Sequence, residues 1–235
     1  MDPSTGRLSP LLNMLNAMKW PASVTTENKI FVFSDGMVLD SPGIYSSEVY
    51  EAVSGRWSPL PLMIEKRRLC AAVSIANSSA LVIGGIGRNQ VGLRSTELLT
   101  QLAGEGGGGG GEKWQWRLLF SMNEEHGGDI LAAYFQERVY VVGCEEYVDA
   151  MEMLDVAADG QWTSLTSNGW SLCQPLRVGS KTSVDNLLFI ADYDSYSVYS
   201  IELEIDRKRR NTKLGEMKEI WKDSTYMLLT TILLK

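Results

Sequence analysis

Four short apolar runs divide the chain, and each ends in small or polar residues. They cover residues 29–35, 80–85, 138–144 and 186–192, and the clearest is Ala80-Leu81-Val82-Ile83-Gly84-Gly85. A continuous apolar run of this length, bounded by turn residues, predicts a strand that is buried on both faces. Glycine at the end of the run allows positive φ and lets neighbouring backbones approach without a Cβ.

A tryptophan precedes three of these runs at a nearly constant distance. The distances are 28, 28 and 30 residues for the pairs Trp57–Gly85, Trp116–Cys144 and Trp162–Asp192. The distance from one run to the next tryptophan varies more, between 18 and 31 residues. A unit that keeps one segment constant while the other varies is typical of a structural repeat with one tolerant loop.

Further strand and turn signals lie within each repeat. Residues 48–50 and 69–76 are predicted strands, and Ser54-Gly55 is a predicted turn into the strand of Trp57. Residues 12–20 resemble the end of a repeat, with Met18 in the position of Met63. With about four strands per repeat and few helix signals, the pattern predicts an all-β fold of propeller-like blades.

The residues between Trp57 and Gly85 resemble a kelch motif. The resemblance rests on Trp57-Ser58-Pro59-Leu60-Pro61-Leu62-Met63, then Arg67, then the apolar run to Gly84-Gly85. A second copy runs from Trp116 to Gly143 with Cys144 in place of the second glycine, and a third, from Trp162, lacks the glycine pair. The repeat length is near the roughly 50 residues of a kelch blade. The structural residues of the repeat are therefore Trp57, Gly84, Gly85, Trp116, Gly143 and Trp162.

The resemblance implies a kelch-type β-propeller of four-stranded antiparallel blades, of which about four are recognisable. Whether four blades close a ring stays open. The predicted organisation is a disordered tail at 1–11, propeller repeats at 12–205, and a degenerate last blade or C-terminal extension at 206–235. The glycine-rich segment 103–112 is a predicted flexible insertion in the hairpin between the third and outer strands. It has neither the Lys-Ser/Thr nor the following helix that a phosphate-binding loop requires.

Charge and composition narrow the classes of partner. The formal net charge is −7 and the pI about 4.9, which disfavours nucleic acid because phosphate binding needs a basic face. No apolar segment approaches the roughly 20 residues that span a bilayer, and no signal peptide is recognisable. The three cysteines are odd in number and lack metal-site spacing. We therefore expect a cytoplasmic protein without nucleic-acid or membrane partners.

Catalytic and metal-binding patterns are weak. His126 is the one histidine in the chain, whereas zinc and copper sites usually draw on several His or Cys ligands. Because Gly127-Gly128 follow it, His126 is a predicted exposed loop residue. We expect no catalytic residues, no metal and no cofactor.

The loops that follow the small-residue pairs are the predicted partner-binding surface, because the resemblance implies that such loops line one face and bind a partner. These loops cover residues 86–93, 145–149 and 193–197. Their candidate contact residues, with the two arginines that follow Met63, are Arg67, Arg68, Arg88, Asn89, Tyr147, Tyr193 and Tyr196. Tyrosine and arginine offer rigid contact area and directed hydrogen bonds. Arg67 and Arg68 could instead support a loop, and the tyrosines could pack between blades.

The predicted function is a non-enzymatic protein–protein interaction module. The resemblance implies a substrate receptor of a cullin-RING ubiquitin ligase, whose partners are a substrate protein and a cullin-ligase component, or an actin-binding protein. The sequence has no pattern for the BTB domain that recruits a cullin. The alternative is a kelch-fold sugar-active enzyme, an epimerase or oxidoreductase, which would hold converging carboxylates and arginines in a pocket near the propeller axis.

Overall fold

The structure is a computed structural model that describes most of the chain. All regular secondary structure in the described part is β-strand. The described residues are 10–18, 21–34, 47–75, 79–102, 113–127, 130–142, 151–156, 160–165, 178–184, 187–192, 196–206 and 211–221. The predicted all-β class is therefore confirmed. No helix long and apolar enough to cross a membrane occurs in these ranges.

The described residues form sixteen strands in four sheets of four strands each. Sheet 1 contains β1 (Ala22–Thr25), β2 (Lys29–Phe33), β3 (Ser47–Glu51) and β4 (Arg56–Pro59). Sheet 2 contains β5 (Ala71–Ile75), β6 (Ser79–Ile83), β7 (Thr96–Leu102) and β8 (Lys113–Leu118). Sheet 3 contains β9 (Leu131–Phe135), β10 (Arg138–Val142), β11 (Met151–Asp155) and β12 (Trp162–Leu165). Sheet 4 contains β13 (Val178–Val184), β14 (Leu187–Asp192), β15 (Ser197–Asp206) and β16 (Asn211–Trp221).

Each sheet is an antiparallel meander in which neighbouring strands follow one another along the chain. The four apolar runs of the sequence form the second strands β2, β6, β10 and β14, as predicted. The first strands lie side by side, with β5 between β1 and β9 and with β13 against β9. The described sheets therefore stack face to face in chain order. The hairpin between β7 and β8 spans the glycine-rich segment, which itself lies outside the described residues, as does Gly143.

The hydrophobic core lies between successive sheets. Phe31 and Phe33 of β2 pack towards sheet 2, where they meet Val82 and Trp116. Leu81 and Ile83, on the opposite face of β6, pack towards Val139 and Val141 of sheet 3. All five residues of β6 are buried, which confirms that this strand is covered on both faces. Trp116 and Trp162 fill the spaces between sheets, and each large aromatic side chain buries about 150–250 Å².

Gly84 and Gly85 turn the chain at the end of β6. Their φ angles are 55° and 91°, in the left-handed region that favours glycine. A Cβ on Gly84 would lie 2.7 Å from the carbonyl oxygen of His126, and a Cβ on Gly85 would lie 2.6 Å from that of Arg68. Both the backbone angle and the close approach therefore require glycine, as the sequence predicted.

Sheet 4 extends beyond the predicted repeat boundary at residue 205. β16 pairs with β15 over the register from Asp206↔Asn211 to Val198↔Trp221. Residues 211–221 are therefore the fourth strand of sheet 4, and Trp221 ends that strand.

We expect Gly85→Ala to destabilise the chain more than Gly55→Ala. Both glycines have positive φ, but a Cβ on Gly55 meets only the Tyr50 hydroxyl at 3.9 Å. Gly55→Ala should therefore cost about 1–2 kcal/mol of backbone strain, and Gly85→Ala should add about 1–3 kcal/mol of overpacking. Urea unfolding followed by circular dichroism measures both losses. Equal losses would show that space at Gly85 is not limiting.

Candidate functional site

Three segments of irregular backbone lead into sheets 1, 2 and 3, and we call them the first, second and third connectors. They are residues 12–16, 61–65 and 120–124. The second and third connectors link one sheet to the next, whereas the first precedes β1. Backbone N–H and C=O groups in such segments have no ladder partner and must find hydrogen bonds elsewhere. The structure meets this need in the same way three times.

A tryptophan indole holds the first part of each connector. Its Nε1–H donates to a backbone carbonyl two residues before the connector methionine, at distances of 2.8, 2.9 and 3.0 Å. The three pairs are Trp57 with Leu12, Trp116 with Pro61, and Trp162 with Phe120. The predicted tryptophans therefore fasten the connectors, and Trp116 and Trp162 also fill the core.

A fully buried glutamate holds the second part of each connector. Glu48, Glu97 and Glu152 each stand second in the third strand of their sheet and have no solvent exposure. Each carboxylate accepts the two backbone N–H groups that follow the connector methionine, at 2.7–2.9 Å. The equivalent methionines are thus Met14, Met63 and Met122, so the assignment of Met18 to the position of Met63 is corrected to Met14.

Each carboxylate also accepts a side-chain donor, which comes from one of the two N–H partners in sheet 1 and from the chain just after them in sheets 2 and 3. In sheet 1 the donor is the amide Nδ2 of Asn16, at 2.8 Å. In sheet 2 it is Arg67, and in sheet 3 it is His126, whose Nε2 lies 2.9 Å from Glu152 Oε1. Arg67 and His126 occupy equivalent positions, four residues after their methionines. A buried charge needs such partners, because burial without them is strongly unfavourable.

Arg67 is buried completely, which removes it from the side chains that a partner could touch. Its Nη2 lies 2.6 Å from Glu97 Oε1 and 2.9 Å from the Ser95 hydroxyl. Its Nη1 donates to the carbonyl oxygens of Gly84 and Ser95, both at 2.9 Å. The planar guanidinium therefore joins the second connector to the turn after β6, the loop-supporting role that was the alternative for this residue.

His126 is also buried, which corrects its prediction as an exposed loop residue. Gly127 does not expose His126, because the His126 carbonyl accepts the Gly85 N–H at 2.9 Å and the His126 imidazole faces Glu152. Burial raises the pKa of Glu152. The pKa is lowered more strongly by the hydrogen bond from His126, by the backbone N–H groups of Asn123 and Glu124, and by the charge of His126. The pKa of Glu152 therefore lies below its usual value of 4.5.

The loop at residues 86–93 is tied to the segments that follow the second and third connectors. Ile86 and Arg68 exchange backbone hydrogen bonds at 2.8 and 3.1 Å, and Leu93 forms a bridge with His126. Inside the loop, the Gly87 N–H donates to Val91 O at 3.0 Å and the Asn89 Oδ1 accepts the Val91 N–H at 3.2 Å. The tip is thus a small, internally bonded turn on a fixed base.

This loop tip displays the predicted contact residues Arg88 and Asn89, both exposed. Arg68 is half-buried beneath them and donates from Nη2 to the exposed side chain of Gln90. Tyr196 is 48% exposed with a φ of 53°, in the turn between β14 and β15. It therefore follows a second strand, as the loop at 86–93 does. Tyr147 and Tyr193 lie outside the described residues.

The sequence patterns did not predict the burial of the three glutamates. A signal for them exists, because 34 residues separate Met14 from Glu48 and also Met63 from Glu97, and 30 residues separate Met122 from Glu152. A carboxylate directly before apolar strand residues is otherwise typical of a solvated strand end, so the spacing is informative only once the connectors are known. Among the described residues, no three His, Cys, Asp or Glu side chains group closely enough to hold a metal ion.

We expect Glu97→Gln to lose about 3–5 kcal/mol of unfolding free energy, because it removes the buried counter-charge of the Arg67 guanidinium and leaves only Glu65, which is 47% exposed and lies 3.6 Å away. The double variant Arg67→Met/Glu97→Gln should be less destabilised than the sum of the single variants. Asp155→Asn is the control, because Asp155 and Arg138 form a partly exposed pair at 3.5 Å that should contribute at most about 1 kcal/mol. Urea unfolding of the unchanged chain, the two single variants, the double variant and the control tests this coupling, and strict additivity would contradict it.

We expect Glu152 to make stability depend on pH below 4.5. Its folded-state pKa is lowered, so its contribution is complete above the usual value of 4.5 and disappears as the pH falls through the folded-state pKa. Glu152→Gln should therefore flatten the acid limb of stability against pH. The lowered pKa of Glu51 arises from the hydrogen bond and charge of Lys29 at a partly exposed site. Salt should screen the Glu51 contribution and spare that of Glu152. An acid limb unchanged in Glu152→Gln would refute this assignment.

Comparison with known proteins assigns no family and no function to this chain. No protein-family model matches the chain, and no curated protein gives a significant match. The function of the chain is therefore inferred from its own contacts.

Proposed function

We propose that this chain is a kelch-type propeller module that binds another protein through the loops at one end of its sheets. Three features support the kelch-type architecture. The sheets are four-stranded meanders, their first strands lie side by side, and a tryptophan and a glutamate hold each of three connectors in the same way. Closure of the sheets into a propeller ring is part of the proposal.

The observation that carries the binding role is the bonded loop at residues 86–93. Backbone bonds to Arg68 and His126 hold its base, so its exposed side chains lose little further freedom when they meet a partner. Arg88 and Asn89 project from the tip, and Val91, 44% exposed, adds an apolar contact beside them. An arginine with polar and apolar neighbours on a rigid base is a common composition for a protein-binding hot spot.

The partner class is a protein with an acidic or polar contact site that matches Arg88. The kelch resemblance adds two candidate settings, a substrate held for a cullin-RING ligase or an actin subunit. The first setting requires a BTB domain or another cullin-binding partner. The buried carboxylates Glu48, Glu97 and Glu152 are engaged by backbone N–H groups, so no observation on them favours the sugar-active alternative.

We expect Arg88→Glu to reduce partner retention at least tenfold, because reversing the charge at the centre of the loop tip opposes an acidic contact. Arg56→Glu is the matched control, because Arg56 is exposed at the opposite end of sheet 1, beside Glu51. Quantitative affinity purification from the native cell compares both variants with the unchanged chain, and circular dichroism verifies their folding.

Equal retention by Arg88→Glu and the unchanged chain would overturn the proposed binding face. Turnover of sialic acid or galactose by the purified chain would overturn the non-enzymatic function. These two outcomes are independent of each other.

A further inference from the structure

A cavity of about 400 Å³ opens at the side of the stack, between sheets 2 and 3. Leu81, Leu98 and Leu154 form its apolar floor, and all three are buried. Leu118 and Phe120, 50% and 55% exposed, form part of its wall. A volume near the lower end of the roughly 300–1,000 Å³ found for ligand sites suits a group the size of one large side chain.

The neighbouring interface between sheets 1 and 2 has an indole at the equivalent place. Trp114 of β8 packs there edge-to-face on Phe31, with ring centroids 5.2 Å apart and planes at 81°. Trp114 stands two residues before Trp116, whose indole holds the second connector. This contact fills the outer part of the first interface.

Sheet 3 carries glycine where sheet 2 carries that indole. Gly160 stands two residues before Trp162, whose indole holds the third connector, so Gly160 is equivalent to Trp114. Leu81, third in β6, is likewise equivalent to Phe31, third in β2. Both Gly160 and Leu81 line the cavity. By position in the repeat, the cavity therefore corresponds to the place that an aromatic pair fills in the first interface. No side chain at residue 160 can fill it, because a Cβ there would overlap the Asp155 carbonyl oxygen.

The rim of the cavity carries one charge of each sign. Arg117 is exposed and lines the cavity, as does Asp155, whose side chain is 34% exposed and whose carboxylate lies 3.5 Å from Arg138 Nε. A guanidinium can stack on an aromatic face. A carboxylate can accept the N–H that an indole must satisfy when it is buried. Together they suit a ring with an apolar body and one donor.

We propose that this cavity binds a tryptophan side chain displayed by a partner protein. The partner indole takes the place that Trp114 occupies between sheets 1 and 2, with its body on Leu81 and Leu154 and its N–H towards Asp155. The site lies between the strands and does not include the loop at 86–93. Failure of this proposal would therefore leave the proposed binding face at Arg88 untouched, and the reverse also holds.

The test uses the whole chain and N-acetyl-L-tryptophanamide as the probe, with N-acetyl-L-leucinamide as the comparator. Saturation-transfer NMR titration should give a dissociation constant of the order of 0.1–1 mM for the tryptophan probe, as expected for a small apolar ligand. Its affinity should exceed that of the leucine probe at least fivefold. No binding of the tryptophan probe at millimolar concentration, or equal binding of both probes, would overturn the proposal.

Two variants locate the binding. Val156→Trp places a ring in the cavity that Val156 lines and should weaken probe binding at least tenfold. Val53→Trp is its matched control, because Val53 is 85% exposed in the β3–β4 turn of sheet 1, and it should bind as the unchanged chain does. Phe120→Ala shortens the exposed wall, keeps the backbone carbonyl that Trp162 uses, and should weaken binding at least threefold.

If Val156→Trp does not fold, the affinity of Phe120→Ala for the tryptophan probe is the decisive measurement. Unchanged affinity in a folded variant would show that the probe binds outside the cavity and would overturn the proposal. A second copy of this chain is a different occupant. It is tested by sedimentation of the chain with and without the probe, and a dimer that the probe dissociates would overturn binding of an external partner.

Discussion

The buried glutamate near the start of each third strand is the interaction on which the described fold depends. Glu48, Glu97 and Glu152 each bind two successive N–H groups of the chain that enters their sheet. A connector cannot satisfy these donors within a ladder, and an ionised carboxylate offers about four acceptor positions. One charged side chain thus replaces several strand hydrogen bonds and fixes where the connector lies against its sheet.

The rigidity of the loop at 86–93 follows from this arrangement. In sheet 2, Glu97 holds Arg67, and Arg67 holds the carbonyl oxygens of Gly84 and Ser95. Gly85 in turn donates to the His126 carbonyl, and His126 is held by Glu152. The exposed tip at Arg88 therefore rests on two buried acid–base pairs from two different sheets. Sheet 4 departs from this pattern, since the second residue of β15 is the buried apolar Val198.

Substitutions within the repeat produce different surfaces from the same scaffold. Because the connectors and first strands fix the distance between sheets, a change at one position is not absorbed by closer packing. An indole at residue 114 packs in the interface between sheets 1 and 2, whereas the interface between sheets 2 and 3 contains a cavity that Gly160 lines. Voids of this size are uncommon in protein interiors, because interiors are packed to crystal-like density.

The sequence by itself determined the second strand of each sheet, because its signals are local. The apolar runs β2, β6, β10 and β14, the turn at Gly55 and the glycine pair after β6 all follow from burial periodicity and φ preference. The repeat spacing also predicted which tryptophans are equivalent. These features need only the chemistry of neighbouring residues along the chain.

Only the tertiary structure decided which polar residues are buried. Arg67, His126 and Glu97 look like surface residues in the sequence, since charged side chains are rarely buried without partners. Their partners lie 26–30 residues away along the chain, so only the folded sheets bring them together. The cavity opposite Gly160 is likewise invisible in the sequence, because its walls come from two sheets and its size depends on what the neighbouring interface contains.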